Sequence, residues 1–471
     1  MRSFLRLMKS ALNSGLRLVN LVAVLLWQPA STQAATTVTN IAPGCVAEHS
    51  LFLKSDGSLW AMGFNRYGQL GDGIYSTNSP YGTNRPEQII PSGVKAIAAG
   101  SGHSLFLKSD GSLWAMGANF YGDLGDGTDY NETNRPEQIV AEGVTDIAAG
   151  LDDSFFIKSD GSLWAMGWNE YGELGDGTFG NGQLNDVNQP EQIVASGVKA
   201  IAAGAYHSLF LKSDGSLWAM GRNDMGQLGD GTYSTNYPYG VNQPEQIIPS
   251  GVTAIAAGFD FSLFLKSDGS LWAMGANDSG QLGDGTYSTN YPNGIDRPEQ
   301  IVAGGVTAIA AGASHSLFLK SDGSLWVMGF NYFGQLGDGT YSRNSRYGIN
   351  RPEQIVASGV TAIAAGRDHS LFLKSDGSLW GMGLDSEGEL GDGFFGTNYC
   401  SSIPEQIVPS PQPLLTDISI LSRTNLQFKA TCFFGGTYHL LAGKNLAQPF
   451  SQWTPVGPIP SPHAAQIISL P

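Results

Sequence analysis

Charge is scarce in this chain, and positive charge is scarcest. Only 14% of the 471 residues are charged, and 25 Lys and Arg face 41 Asp and Glu, a formal net charge of −16. That balance argues against a nucleic-acid partner, because phosphate binding needs basic clusters. No basic run occurs beyond the N-terminus. Cysteine is limited to Cys45, Cys400 and Cys432, whose spacing fits no metal site. Long apolar runs are missing too. The one candidate, Leu18 to Trp27, is ten residues long and interrupted by Asn20, too short to span a bilayer. No other segment is able to cross a membrane as a helix.

The N-terminus is nonetheless distinctive. Arg2, Arg6, Lys9 and Arg17 precede that apolar stretch with no acidic residue among them, and Thr32 and Ala34 follow at small-residue cleavage positions. This pattern predicts a secretory signal peptide over residues 1–34, cut near Ala34, and hence export to the periplasm, the cell surface or the medium. Loss of the four basic residues takes the net charge from −16 to −20. In an exported chain one pair of the three cysteines is free to be oxidised.

Glycine is abundant, 63 residues or about twice the usual share, and it sits at fixed positions of an internal repeat. The heptapeptide Lys54-Ser55-Asp56-Gly57-Ser58-Leu59-Trp60 recurs at Lys108, Lys158, Lys212, Lys266, Lys320 and Lys374, with tryptophans 54, 50, 54, 54, 54 and 54 residues apart. A period this regular means one supersecondary unit used seven times. Within the second unit, Val94 to Gly100 predicts a first strand and His103 to Lys108 a second. Asp110-Gly111 predicts a two-residue hairpin with both residues at positive φ. Ser112 to Gly117 predicts a third strand, and Pro136 to Val140 a fourth after a long loop from Ala118. Proline at the start of the fourth suits an outer strand. Four short antiparallel strands, repeated seven times, predict an all-β fold: a seven-bladed β-propeller over residues 35–408. Continuous apolar runs such as Leu105-Phe106-Leu107 fit strands buried between neighbouring blades. The repeated tryptophans are read as packing residues, not ligand platforms.

The period and motifs fit neither WD nor kelch repeats. Gly226-Gln227-Leu228-Gly229-Asp230-Gly231, together with Ala-Gly-x-x-His-Ser and Asp-Gly-x-Leu-Trp-x-Met-Gly, resembles the repeat of the regulator of chromosome condensation (RCC1) family. The likeness recurs seven times over about residues 37–408. It implies a seven-bladed ring. For exported bacterial members it implies binding of a partner, in some cases an enzyme that is inhibited, through one face. Guanine-nucleotide exchange, the activity of the eukaryotic namesake, is disfavoured by the signal peptide and by the lack of a wedge-like insertion.

The repeat departs from itself in informative places. The His slot holds His49, His103, His207, His315 and His369, but Asp153 and Phe261 in units three and five. A metal or catalytic His ring would not tolerate phenylalanine, so these side chains are read as bonding nearby backbone. The Leu-Gly-Asp-Gly loops offer one aspartate each, which fits a turn better than a calcium loop. No cofactor, metal or catalytic set is expected. Strand alternation puts the first–second and third–fourth loops on one face, and nearly all differences between units fall there. The predicted partner-binding face comprises Phe64, Arg66, Tyr67, Phe120, Tyr121, Trp168, Tyr171, Tyr206, Arg222, Phe259, Tyr332, Phe333 and Arg367, residue types that anchor interfaces. Cys45 and Cys400 fall on this face in units that a closed ring makes neighbours. A Cys45–Cys400 disulfide clasping the ring is one expectation, and a Cys400–Cys432 bridge to the tail is its rival.

Residues 409–415 form a proline-rich linker, and 416–471 predict a small β module with strands over Asp417–Leu421, Asn425–Thr431 and Tyr438–Ala442 and a hairpin at Gly435-Gly436. The expected function is that of an exported, monomeric binding protein, not an enzyme, whose long-loop face takes a protein or glycan partner. The alternatives are a structural or adhesive surface component and an enzyme acting on polysaccharide.

Overall fold

The computed structural model describes residues 36–180, 187–292, 294–342, 348–396 and 399–410, and in the C-terminal stretch 414–422, 425–431, 438–442, 454–459 and 466–470. The signal-peptide segment, Gly435-Gly436 and Cys432, with the Cys400–Cys432 bridge that needs it, lie outside the described residues. Thr36–Ser410 is one compact unit, and the strands beyond it belong to another.

Seven four-stranded antiparallel sheets, each built from four consecutive strands, make up the first unit. Blade 1 comprises Val38–Ala42, His49–Lys54, Leu59–Phe64 and Gly82–Ile90. The first strands of successive blades touch one another, and Val38–Ala42 meets the first strand of blade 7, Val360–Ala365. First strands therefore line the axis and fourth strands form the rim. Alanine and glycine suit the inner position because the strands there converge. The second strands, such as His103–Lys108, are buried along nearly their whole length.

Burial is organised between sheets. Seven apolar clusters occupy the seven blade interfaces. In the closing interface, Val38, Ile41, Phe52 and Met62 of blade 1 meet Leu371, Leu373, Leu379 and Leu390 of blade 7. Each methionine of a third strand packs over the first glycine of the preceding blade's Leu-Gly-Asp-Gly loop. A Cβ on Gly229 would stand 2.4 Å from Met274 Sδ, and one on Gly391 2.4 Å from Met62 Sδ. The ring closes by the same interlock that joins its other blades.

Two local predictions require correction. The hairpin is a three-residue loop: Lys54 N–H donates to Ser58 O and Gly57 N–H to Lys54 O. Only the glycine has positive φ, +75° at Gly57; Asp56 is not among the described residues with positive φ. A type I turn closed by a left-handed glycine forms, rather than a two-residue turn. The fourth strands also begin earlier than proline suggests, at Asn131 in blade 2. The register slips between the Ala115–Glu137 and Gly117–Thr133 pairs, so Pro136 is absorbed in a bulge of an edge strand where its missing N–H costs little.

In the C-terminal unit, Leu414–Ser422 pairs with Asn425–Thr431, which pairs with Gln466–Leu470, and Tyr438–Ala442 pairs with Thr454–Ile459. Among the described residues no helix is long and apolar enough to cross a membrane.

Candidate binding face

The heptapeptide occupies the face away from the variable loops, and each of its letters has a structural task. Trp60 stacks on Phe52 at 6.1 Å between ring centroids, Lys54 Nζ lies 3.6 Å above the indole, and Trp60 Nε1 donates to Ser58 Oγ. Asp56 Oδ1 accepts the Ser58 N–H at 2.9 Å. The same set recurs in blade 2 and in blade 7. Hairpin and connector are stitched together, with Val94 N–H donating to Gly57 O and Ser109 N–H to Gly93 O. This face is uniform because it is fully used.

The opposite face begins at the axis with a feature peculiar to blade 1. Its first–second loop is longer than the others, and it turns inward, with Ala47 N–H donating to Gly44 O at 2.9 Å. Gly44 has to be glycine, since a Cβ there would lie 1.6 Å from Ala99 O. Cys45 and Val46 are carried across the axis onto Ala205 of blade 4, beside Leu151, Tyr206 and Phe259. Cys45 Sγ lies 3.7 Å from Ala203 O. The loop plugs the ring and gives the variable face a closed apolar floor.

This placement overturns the Cys45–Cys400 disulfide. Cys45 is a buried free thiol, and Cys400 opens the outer strand Cys400–Val408 of blade 7. Strand alternation identifies the shared face but not the radial position. First and fourth strands stand about 14 Å apart at ordinary interstrand spacing, whereas a disulfide needs Cα atoms within about 7 Å. Burial, with Asp153 adding to it, pushes the Cys45 thiol up to about 12.

Around the floor, third-strand ends and first–second loops bring aromatic residues of different blades together. Tyr121 stacks on Trp168 at 4.8 Å. Trp168 meets Tyr206 edge-on at 6.1 Å, and Tyr206 meets Tyr171 and Phe259, each at 5.3 Å. Arg222 lies over Tyr171 and Tyr206, 5.4 and 5.3 Å from their centroids, and pairs with Asp224 at 2.7 Å and Asp260 at 3.7 Å. Its charge is thus already balanced. Burial raises Asp260 to about 6 against the pull of Arg222. Burial and Glu170 raise the Tyr171 phenol to about 12, so it stays protonated. A small cavity of about 110 Å³ opens beside Phe259, Asp260 and Asp278.

The other predicted residues fall in three places. Phe64, Tyr67 and Phe120 form a second aromatic chain, with Arg66 over Tyr67 and Tyr81. It joins the first through the Phe120-Tyr121 peptide. Tyr332 and Phe333 contact each other on blade 6, with Phe330 stacked on Tyr332. Arg367 pairs with Glu48 across the closing interface and with its own neighbour Asp368. The sequence-based set omits the most exposed rim side chains, Tyr130 at 67% and Phe394 at 62%, and also Ile74, Tyr237 and Tyr291. The signal for them is their position at the tips of the long, polar third–fourth loops.

The His slot has a different role from the one predicted. Each histidine bonds the serine of the next blade, not nearby backbone: His49 Nε2 to Ser104 at 2.7 Å, His103 to Ser154, His207 to Ser262, His315 to Ser370, and His369 to Ser50. Ser104 donates its own proton to Gln69 O, so His49 Nε2 must be the donor. Burial holds these rings neutral, with His49 lowered to about 3 and His103 to about 4. In blade 3 the bracket is missing. Among the described residues neither Asp153 oxygen nor Ser208 Oγ has a hydrogen-bond partner, and burial raises Asp153 and Glu173 well above the usual carboxyl range.

Comparison with known proteins agrees with this architecture. Residues 24–304 match the model of the RCC1-like domain, and residues 306–335, 322–373 and 360–389 match the regulator of chromosome condensation (RCC1) repeat. The human probable E3 ubiquitin-protein ligase HERC3 is 38% identical over 339 residues, covering 69% of this chain and 31% of that protein. The ultraviolet-B receptor UVR8 of Arabidopsis thaliana is 29% identical over 221 residues, covering 45% of this chain and 48% of that one. The chain thus spans less than half the length of these relatives. Prp20p of Saccharomyces cerevisiae, described with its binding to Gsp1p and histones, shares the fold. Its TM-score is 0.65 at 23% identity, over 76% of this chain and 88% of that one.

Proposed function

The chain belongs to the RCC1-like domain family, and on that premise we propose that it is a binding protein whose partner, a protein, docks on the long-loop face. The observation that carries this reading is the aromatic arc Tyr121–Trp168–Tyr206–Phe259, which crosses blades 2 to 5 over a plugged floor. It is built from positions where otherwise repetitive units differ, and its rings are half-buried. Such rings are already ordered and lose little conformational freedom on binding. Prp20p, which shares the fold and is described with protein partners, supports the reading. Ligase activity forms no part of it, since the matched region is 31% of that relative.

The N-terminal basic and apolar segment supports action outside the cytoplasm. N-terminal sequencing of material from the medium and cell envelope, with cleavage expected after Ala34, tests export. The partner is to be identified by crosslinking from the face and its affinity then measured. Trp168→Ala combined with Tyr206→Ala is expected to weaken binding by about 30-fold or more, equivalent to about 2 kcal/mol. Unchanged affinity in this folded double variant overturns the assignment of the face. A second reading, adhesion to a protein or glycan surface, is favoured by the exposed rim aromatics Tyr130, Tyr237 and Phe394. It predicts that rim substitutions matter and floor substitutions do not.

A further inference from the structure

Six of the seven Leu-Gly-Asp-Gly loops are held by the same asparagine. In blade 6, Asn331 Oδ1 accepts the Leu336 N–H at 3.1 Å, and Nδ2 donates to Asp338 Oδ1 at 3.0 Å and to Thr340 O at 3.4 Å. Asn65, Asn119, Asn169, Asn223 and Asn277 repeat this arrangement, with Nδ2 at 3.0 to 3.1 Å from the loop aspartate. The amide nitrogen thus occupies a point where a carboxylate and a main-chain carbonyl converge, and it supplies both with protons.

Blade 7 has Asp385 at this position. Its Oδ1 accepts the Leu390 N–H at 2.8 Å, the bond that the asparagine Oδ1 makes elsewhere. Oδ2 consequently falls where the amide nitrogen would be, facing Asp392. Asp385 is completely buried, and among the described residues no donor reaches Oδ2. Asp392 has also lost a donor. In blades 2 to 6 a threonine hydroxyl two residues on bonds the aspartate, as Thr340 bonds Asp338 at 2.7 Å, whereas blade 7 has Phe394 there. Asp392 keeps the Phe394 N–H at 2.7 Å and the Tyr399 hydroxyl at 3.4 Å. Arg85 of blade 1 lies against Gly393, and among the described residues it forms no ion pair with either carboxylate.

We propose that blade 7 holds a calcium ion between Asp385 Oδ2, the Asp392 carboxylate and the Phe394 main-chain carbonyl, with water completing the shell. The donors are all hard oxygens, which suits Ca²⁺. Its coordination tolerates irregular angles and several waters, whereas Mg²⁺ demands a near-regular octahedron. The loop is open to solvent at Phe394, so water has access. With few protein ligands, affinity falls in the weak range of about 0.1 to 1 mM. Burial pushes Asp385 up to about 9 when no cation is present, with Glu389 and Asp392 adding to it. A proton shared by the two carboxylates is therefore the competing occupant.

Terbium titration of the full chain separates the two. Tb³⁺ is the probe, its emission sensitised by Tyr399. Saturable emission that Ca²⁺ displaces is expected, with affinity lower by about tenfold or more in Asp385→Asn. That variant restores the side chain of the other six blades and should fold at least as well, which a thermal melt checks. The melt of the wild type, but not of Asp385→Asn, should rise in about 5 mM CaCl2 relative to EDTA. Emission that survives Asp385→Asn unchanged, or a wild-type melt indifferent to Ca²⁺, overturns the site and leaves the shared proton in its place.

Discussion

Individual side chains account for both the uniformity and the breaks in this ring. The histidine-to-serine bracket ties neighbouring blades through a neutral ring that donates to a hydroxyl whose own proton goes to a carbonyl. Asp153 cannot reproduce it, because an ionised carboxylate there faces burial without a partner. Asp153→His should therefore rebuild the bracket to Ser208. Gly150 already leaves the room that Gly100 leaves for His103. The expected gain is about 1 to 2 kcal/mol, read as a higher urea midpoint at unchanged slope. Ser208→Ala should then cost about 1 kcal/mol in the Asp153→His background and almost nothing in the wild type. Equal costs in both backgrounds would show that no bracket had formed.

At the scale of loops and strands, the inner loop of blade 1 is decisive. Its extra residues blur the Ala-Gly-x-x-His register in the sequence, and in the structure they close the ring's mouth. Cys45 on this loop is buried, and its thiol is pushed up to about 12, so almost no thiolate is present at neutral pH. Iodoacetamide should leave Cys45 unmodified in the native protein and label it once the chain is unfolded. Non-reducing peptide mapping should recover Cys45 unbridged. A Cys45–Cys400 peptide in that map would refute the plug as described. The hairpin shows the reverse relation between sequence and structure. Its seven letters locate every hairpin correctly, yet whether two or three residues form the turn depends on how Lys54 and Ser58 pair, which composition does not express.

Across the whole molecule, buried titratable groups of opposite kind shape the response to pH. Five histidines have folded pKa values lowered to about 3 or 4 from 6.5. The unfolded chain binds their protons more readily, so their contribution to stability is lost as pH falls below 6.5. Five buried carboxyls behave oppositely, in addition to Asp385. Asp260 and Asp368 are raised to about 6, Glu389 to about 8, and Asp153 and Glu173 well above their usual range. They favour the fold below their unfolded values, 3.8 for Asp and 4.5 for Glu, and that contribution is lost as pH rises through the folded ones. The two sets oppose each other between about pH 4.5 and 6.5. Below that window only the histidines change charge differently in the two states, and above it only the carboxyls do. Thermal melts from about pH 3.5 to 9 should show a plateau in this window and a decline on both sides. Maximum stability at pH 8 would show that the carboxyls are not buried as described.

The sequence by itself determined the architecture. Period, glycine placement and apolar runs specify seven four-stranded blades, because each is a local requirement of turn or strand repeated without exception. It also located the variable face, since strand alternation is a matter of parity. Tertiary structure alone decided radial position and partnership. Cys45 lies over the axis and Cys400 on an outer strand, His49 answers to Ser104 a blade away, and Tyr121, Trp168 and Tyr206 become one surface only when blades 2, 3 and 4 are set side by side. These contacts join residues 38 to 158 positions apart, and no local pattern encodes which blade's side chain will face which.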